Sequence, residues 1–317
     1  MGVNCDKPQR WKRDIALSVD LYNDWFLNFA PQTYREERIR ATANVEAMLQ
    51  RTGHLRKLTF HELSGHPGIL FALRMCTAPP LARDRLVGLA AVPRALVDTM
   101  EKGDCLPPQM KKAASGRAVQ KIIDMITRLI DVDIFVWLAE NRAPTRQEVY
   151  RAATIVADRL CGANANPIIR NAQERRQLDK IKTWLESRRY KDMTGKTSLK
   201  DMQPGTFAFR LNVPGLKEDR HTVNIPVDAV VMPRKTQAGR LPVMIEAKSA
   251  GDFTNTNKRR KEEATKIGQL KRMHGEVVQY VLFLCGYFDS GYLGYEAAEG
   301  IDWVWEHRMG DLKELGL

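Results

Sequence analysis

Residues 222–248 read TVNIPVDAVVMPRKTQAGRLPVMIEAK, and the fold turns on them. Thr222 to Val231 and Leu241 to Lys248 are two strand-like runs rich in β-branched and apolar residues. Asp228 lies inside the first run and Glu246 near the end of the second. A carboxylate embedded in an apolar strand needs a partner or a metal. Glu246 and Lys248 are two residues apart, so on a strand they share one face. Ala247 between them turns its side chain away, yet its backbone carbonyl can reach the same place. If the two runs are hairpin neighbours, Asp228 and Glu246 converge.

The flanks extend the pattern. A strand-like run, Thr206 to Val213, comes before, after a polar loop from Lys191 to Gly205. A segment of helical composition, Asn257 to His274, comes after, followed by the buried strand VVQYVLFLC at 277–285. A helix opened by Asn166-Pro167 and running to about Tyr190 precedes the loop. The order is helix, three strands, helix, strand, an α+β arrangement. Residues 1–165 are expected to form a mainly helical N-terminal region, for DNA binding or dimerisation, and 166–317 the sheet-bearing core with a C-terminal extension. Within the first region, helical spacing marks Trp11 to Phe29 and a stretch through Val45, Met48 and Leu49 that Gly53 would stop. Arg117 to Glu140 is expected as one helix. Thr145 and Glu148 form a capping box for the next, with Gly162 suited to its end.

The chemistry that fits these residues is phosphodiester hydrolysis. The attacked phosphate is anionic and repels a hydroxide nucleophile. Two carboxylates, Asp228 and Glu246, with the Ala247 carbonyl, are able to hold a hard divalent cation that offsets that charge. Mg²⁺ is the natural choice, because it keeps several waters and shares its shell with substrate phosphate. The Lys248 ammonium beside the same phosphate orients or helps deprotonate the attacking water and stabilises the developing charge. The bare spacing Asp/Glu-x-Lys also occurs at Asp311–Lys313, which lacks an upstream acidic residue on a strand. The competing reading of Asp228, Glu246 and Lys248 is a salt-bridged network with no catalytic task.

Composition agrees with a polyanionic partner. The chain of 317 residues carries a net charge of +12, and its pI is near 9.5, which points to nucleic acid or an acidic membrane surface. No apolar run approaches the roughly 18 residues of a spanning helix, so no membrane role is expected. The N-terminus lacks the apolar stretch of a secretory signal. Five cysteines, at 5, 76, 105, 161 and 285, form no CxxC pair, so neither a disulfide framework nor a zinc site is expected and a cytoplasmic location is.

With these residues in view, the chain resembles the PD-(D/E)XK nuclease superfamily, whose core is a helix, a three-stranded antiparallel meander, a helix and a fourth strand. The segments IPVDAVVMPRK, PVMIEAKSAGDFTNTNKRRKEEATK and LFLCGYFDSGYLGYEAAEGIDWVWEHR more closely resemble the XamI family of type II restriction endonucleases. The likeness extends, less sharply, to KPQRWKRDIALSVDLYNDWF near the start. Val227 between Pro226 and Asp228 departs from the short superfamily pattern. The resemblance implies Mg²⁺ bound by Asp228, Glu246 and the Ala247 carbonyl, Lys248 as the catalytic lysine, and double-stranded DNA as substrate, cut to a 5′-phosphate and a 3′-hydroxyl. It further implies a short palindromic site read by a homodimer, a companion DNA methyltransferase, and, from the family's namesake, the target GTCGAC. The superfamily often adds a carboxylate from the first helix, for which Glu174 and Glu186 are both open.

Lys258-Arg259-Arg260-Lys261 opens the helix after the site, in a segment from Thr254 to Gly275 of net charge +5. It is the expected DNA-backbone contact. The tail from Asp289 has net charge −5, a poor DNA surface, and its Trp303 and Trp305 are expected in the core. The segment HELSGH at 61–66 spaces its histidines five apart where a zinc protease needs four. Two rival functions stay open. One is a structure-specific repair or junction nuclease on the same fold. The other is a DNA-binding protein without catalysis.

Overall fold

The computed structural model describes the chain apart from Met1, residues 108–111, 237–238 and 255, and the side chains of 112–115 and 256–260. It divides into two compact units. One comprises residues 30–169; the other joins 1–29 to 170–317.

The first unit is helical. It contains the second half of α1 (Pro8–Arg51), then α2 (Phe60–Gly65), α3 (Leu70–Met75), α4 (Arg83–Ala90), α5 (Arg94–Gly103), α6 (Lys112–Leu129), α7 (Val136–Ala139) and the first part of α8 (Arg146–Ser187). Its core gathers apolar residues at helical spacing, among them Val45, Leu49, Leu73, Ile122, Ile126 and Val156. The capping box at the head of α8 forms: the Glu148 amide donates to Thr145 Oγ1 (3.3 Å), and the Thr145 amide donates to Glu148 Oε2 (2.7 Å).

Three helix boundaries differ from the sequence reading, each for a tertiary reason. α1 does not stop at Phe29 but continues through Pro31 to Arg51. α8 likewise passes Gly162 and Pro167 without a break. An interior proline costs one intrahelical hydrogen bond. Buried side chains on each side of it, such as Val156 and Leu160 before and Ile181 and Leu185 after, hold both halves of α8 in their own cores. The expected helix from Arg117 to Glu140 ends instead at Leu129. Ile130 pairs with Thr77 in an isolated bridge, and the Asp131 amide donates to the Cys76 carbonyl.

The second unit is built on one six-stranded mixed sheet. Its strands are β1 (Lys191–Asp192), β2 (Thr206–Leu216), β3 (Thr222–Met232), β4 (Val243–Ala250), β5 (Gln279–Gly286) and β6 (Asp302–Trp305), adjacent in that order. β2, β3 and β4 form an antiparallel meander, and β5 and β6 add in parallel to β4. α9 (Thr256–His274) makes the β4–β5 crossover, and α10 (Ser290–Ala298) joins β5 to β6. The central strands read as continuous apolar runs because both faces are covered. Phe207, Val231, Ile245 and Phe283 pack with Leu178, Ile181 and Leu185 of α8. Val230, Met244, Leu282 and Leu284 pack with Ile267 and Leu270 of α9.

Residues 1–29 belong with this sheet, although the sequence reading placed them in the helical region. Asp302 on β6 accepts the amides of Asn4 (2.9 Å) and Cys5 (3.0 Å), and Trp11 and Ile15 pack against the core around Trp303. The Gly286 amide donates to Ser18 Oγ (2.8 Å). Gly286 itself has φ +101°, and a Cβ there would lie 2.1 Å from the Ala250 carbonyl oxygen, so the close ends of β4 and β5 require glycine. Trp303 and Trp305 are fully buried on β6. Among the described residues no helix is long and apolar enough to cross a membrane, and all five cysteines are free thiols.

Candidate active site

The β3–β4 ladder runs through Val231↔Val243, Val230↔Met244 and Ala229↔Ile245, and ends there. Asp228 and Glu246 are the next residues on each strand, so they stand at the mouth of a fork. On the other side of β3 the β2 ladder pairs Phe209 with Ala229 and Leu211 with Val227, skipping Arg210 and Asp228. Arg210 adopts φ +51°, a conformation that costs a non-glycine residue energy and clusters at functional sites. Asp228 is thus released from regular pairing on both flanks. Its Oδ2 instead accepts the Ala247 amide at 2.9 Å.

Strand alternation sets the directions. Asp228, Glu246 and Lys248 lie in phase with Val230 and Met244, whose face is covered by α9. Glu246 is 4% exposed. Its Oε1 takes Lys248 Nζ at 3.0 Å and also contacts Lys266 Nζ of α9, while its Oε2 is buried with no hydrogen-bond partner among the described residues. Lys248 Nζ lies 2.8 Å from Glu263 Oε1, and Glu263 Oε2 accepts the Tyr280 hydroxyl at 2.5 Å. The structure therefore brings Asp228, Glu246, Ala247 and Lys248 together. It adds three groups that the sequence reading missed: Glu263, Lys266 and Tyr280. Glu263 and Lys266 stand among other charged residues in a strongly polar helix, and no spacing singles them out.

Of the two candidate α8 carboxylates, Glu174 is the one near Asp228. Glu174 is close enough to Asp228 for its charge to act on it, and its Oε1 pairs with Arg210 at 2.8 Å. Glu186 lies three turns further along α8, 3.8 Å from Lys182. Gln177, one turn from Glu174 and 1% exposed, donates to the carbonyls of Lys248 and Phe283, both at 3.3 Å. It ties α8 to β4 and β5 beside the site. Of the basic run, Lys261 is exposed on α9, and the side chains of Lys258, Arg259 and Arg260 lie outside the described residues.

The electrostatics of the fork are set by burial and by close opposite charges. Burial, reinforced by the Glu246 charge, raises Asp228 from 3.8 to about 6, against the opposing Ala247 amide and Lys248. Burial alone would depress Lys248; the carboxylates of Glu263 and Glu246 outweigh it and hold its pKa above the ordinary lysine value. Among the described residues no three His, Cys, Asp or Glu side chains gather into a metal cage. The candidate oxygens at the fork are fewer: Asp228, the Oε2 of Glu246, which has no hydrogen-bond partner among the described residues, and the Ala247 carbonyl. Such a set fits Mg²⁺, which binds through one or two carboxylates and retains its other waters.

Residues 53–305 match the family model of the XamI restriction endonucleases. Over 318 residues the chain is 54% identical to the type II restriction enzyme SalI of Streptomyces albus G, with 99% of each chain covered. That similarity takes in the N-terminal segment that the family model leaves out. No solved structure matches.

Proposed function

The chain belongs to the XamI restriction endonuclease family, and from that premise we propose that it hydrolyses double-stranded DNA at a short palindromic site with the fork residues Asp228, Glu246 and Lys248. It is a type II restriction endonuclease. The observation that carries the site assignment is the buried, unpartnered Oε2 of Glu246 beside Asp228, whose pKa is raised. Two acidic groups kept close in a half-buried fork are poised to take a cation.

Asp228, Glu246 and the Ala247 carbonyl would hold Mg²⁺. When bound, it neutralises the phosphate and makes water a better nucleophile. Lys248 is held protonated by its two carboxylate neighbours, so it acts as a fixed positive charge toward the phosphate oxygens and not as a base. Attack of water on phosphorus breaks the P–O3′ bond and leaves a 5′-phosphate and a 3′-hydroxyl. Lys258, Arg259, Arg260 and Lys261 contact the DNA backbone at the start of α9. A palindromic site matches a two-fold dimer in which each subunit cuts one strand, and GTCGAC is the proposed target. The enzyme would act in the cytoplasm beside a methyltransferase that protects the host's own sites. The experiment is digestion of unmethylated phage DNA with Mg²⁺, followed by end sequencing. Discrete fragments ending within GTCGAC support the proposal. A smear or a preference for branched DNA supports the structure-specific rival, and binding without nicking in Mg²⁺ or Mn²⁺ supports the non-catalytic one.

Two results are expected here. Changing Arg259 and Arg260 together to Ala should weaken duplex binding and reduce the slope of log K against log salt by about 1 to 2, because each lost phosphate contact releases fewer counterions. A slope equal to wild type would place that helix end away from DNA. The second concerns pH. Asp228 must be ionised to hold a cation, and its metal-free pKa is about 6. Mg²⁺ affinity should be level above about pH 7 and fall by up to about tenfold per unit below pH 6. Because the folded value exceeds the 3.8 of the unfolded chain, this group favours the metal-free fold most below that value. It loses that contribution as pH rises through about 6. Calorimetric titration with Mg²⁺ from pH 5 to 8 measures the first trend, and affinity independent of pH across that range would contradict it.

A further inference from the structure

We propose that Glu263, backed by Tyr280, is a positioning residue that holds Lys248 at the site independently of the metal; this rests on the proposed nuclease reading. Glu263 lies on α9 and is 0% exposed. Its two oxygens have separate tasks. Oε1 faces Lys248 Nζ at 2.8 Å as an ion pair, and Oε2 accepts the Tyr280 hydroxyl at 2.5 Å. Tyr280 is itself buried on β5, where it stands beside Met244 in the β4–β5 ladder. An ionised carboxylate taken wholly out of water is costly unless paired and hydrogen-bonded, and this one is paired with Lys248.

The need for a second carboxylate follows from what Glu246 must do. Glu246 Oε1 is shared by Lys248 and Lys266. Once Glu246 is engaged with a cation, both ammonium groups lose part of that partner. Lys266 has 27% of its side chain exposed and is free to turn toward solvent or phosphate, whereas Lys248 keeps Glu263. Glu263 therefore fixes the catalytic ammonium in both the metal-free and the metal-loaded site. Tyr280 fixes Glu263 in turn, by occupying the oxygen that Lys248 does not.

The test is a double-mutant cycle on the full-length protein, using Glu263→Gln, Lys248→Ala and the pair together. Single-turnover cleavage in saturating Mg²⁺, duplex affinity without metal, and Mg²⁺ affinity by calorimetry are measured for each. Glu263→Gln should slow cleavage by about 10- to 100-fold, the scale on which orienting partners act. Duplex and Mg²⁺ affinities should stay within about threefold, as the residue contacts neither ligand. In the Lys248→Ala background the same change should cost nothing more, since a residue acting through Lys248 has nothing left to position. A full further loss in that background, or a Mg²⁺ affinity reduced tenfold or more, would overturn the proposal by giving Glu263 a task of its own. Wild-type cleavage by folded Glu263→Gln would overturn it as well. If Glu263→Gln does not fold, Tyr280→Phe keeps the ion pair and removes only the hydroxyl. It should slow cleavage by a few-fold and likewise add nothing to Lys248→Ala; a wild-type rate counts against the proposal. Failure of the nuclease reading is distinguishable, because Lys248→Ala would then cleave as wild type whatever Glu263 does.

Discussion

Glu246→Gln is expected to lower the rate of DNA cleavage by about a thousandfold or more, the equivalent of losing several kcal/mol of charge stabilisation at a metal-assisted phosphate. Glutamine keeps the shape and removes the charge. In the native site Glu246 is 4% exposed, with one oxygen on two lysines and the other without a partner among the described residues. The amide leaves Lys248 and Lys266 facing a neutral group and gives a cation one carboxylate where two stood. The same substitution removes the neighbouring charge that helps raise Asp228, so the Asp228 pKa should fall toward its ordinary value. Conversion of supercoiled plasmid to nicked and linear forms, alongside calorimetric Mg²⁺ titration, measures both losses. Cleavage within tenfold of wild type would show that Glu246 is part of a structural ion network only.

Lys248→Ala should slow cleavage at least about 100-fold, the usual effect of removing one charge-stabilising group from a transition state, while duplex binding persists. Its carboxylate neighbours hold the ammonium charged, so the loss is of a positive charge near the phosphate and not of a base. The variant also strands Glu263, buried with Tyr280 as its remaining partner among the described residues. Removing one member of a buried pair costs about 3–5 kcal/mol, so the thermal midpoint should drop and the assay belongs below the new midpoint. Lys248→Arg should recover stability better than rate, because a planar guanidinium cannot take the place of a compact ammonium between two carboxylates. Near-normal cleavage by folded Lys248→Ala would end the assignment of this site.

Much of the sheet was legible because its signals are local. The meander, the crossover helix and the strand beside β4 each announced themselves in runs of a few residues. Thr222–Met232, Val243–Ala250 and Gln279–Gly286 lie within two or three residues of the expected runs. The spacing of Glu246 and Lys248 carried over for the same reason, since alternation on a strand is a property of the backbone. The long helices were less legible. Pro31 and Pro167 are breakers by local rule, yet α1 and α8 run through them, because packed side chains on either side outweigh one missing hydrogen bond.

From the sequence alone come the basic charge, the order of elements, and the acidic pair with its lysine on neighbouring strands. These depend on composition, periodicity and short spacings. Only the tertiary structure decided where the β3–β4 ladder ends, that Glu174 and not Glu186 lies near Asp228, and that Glu263, Lys266 and Tyr280 join the ion network of Glu246 and Lys248. It also moved residues 1–29 to the sheet. The physical reason is burial. A glutamate on a charged helix looks solvated in one dimension, and only packing that helix onto the sheet takes its carboxylate out of water and obliges it to find an ammonium.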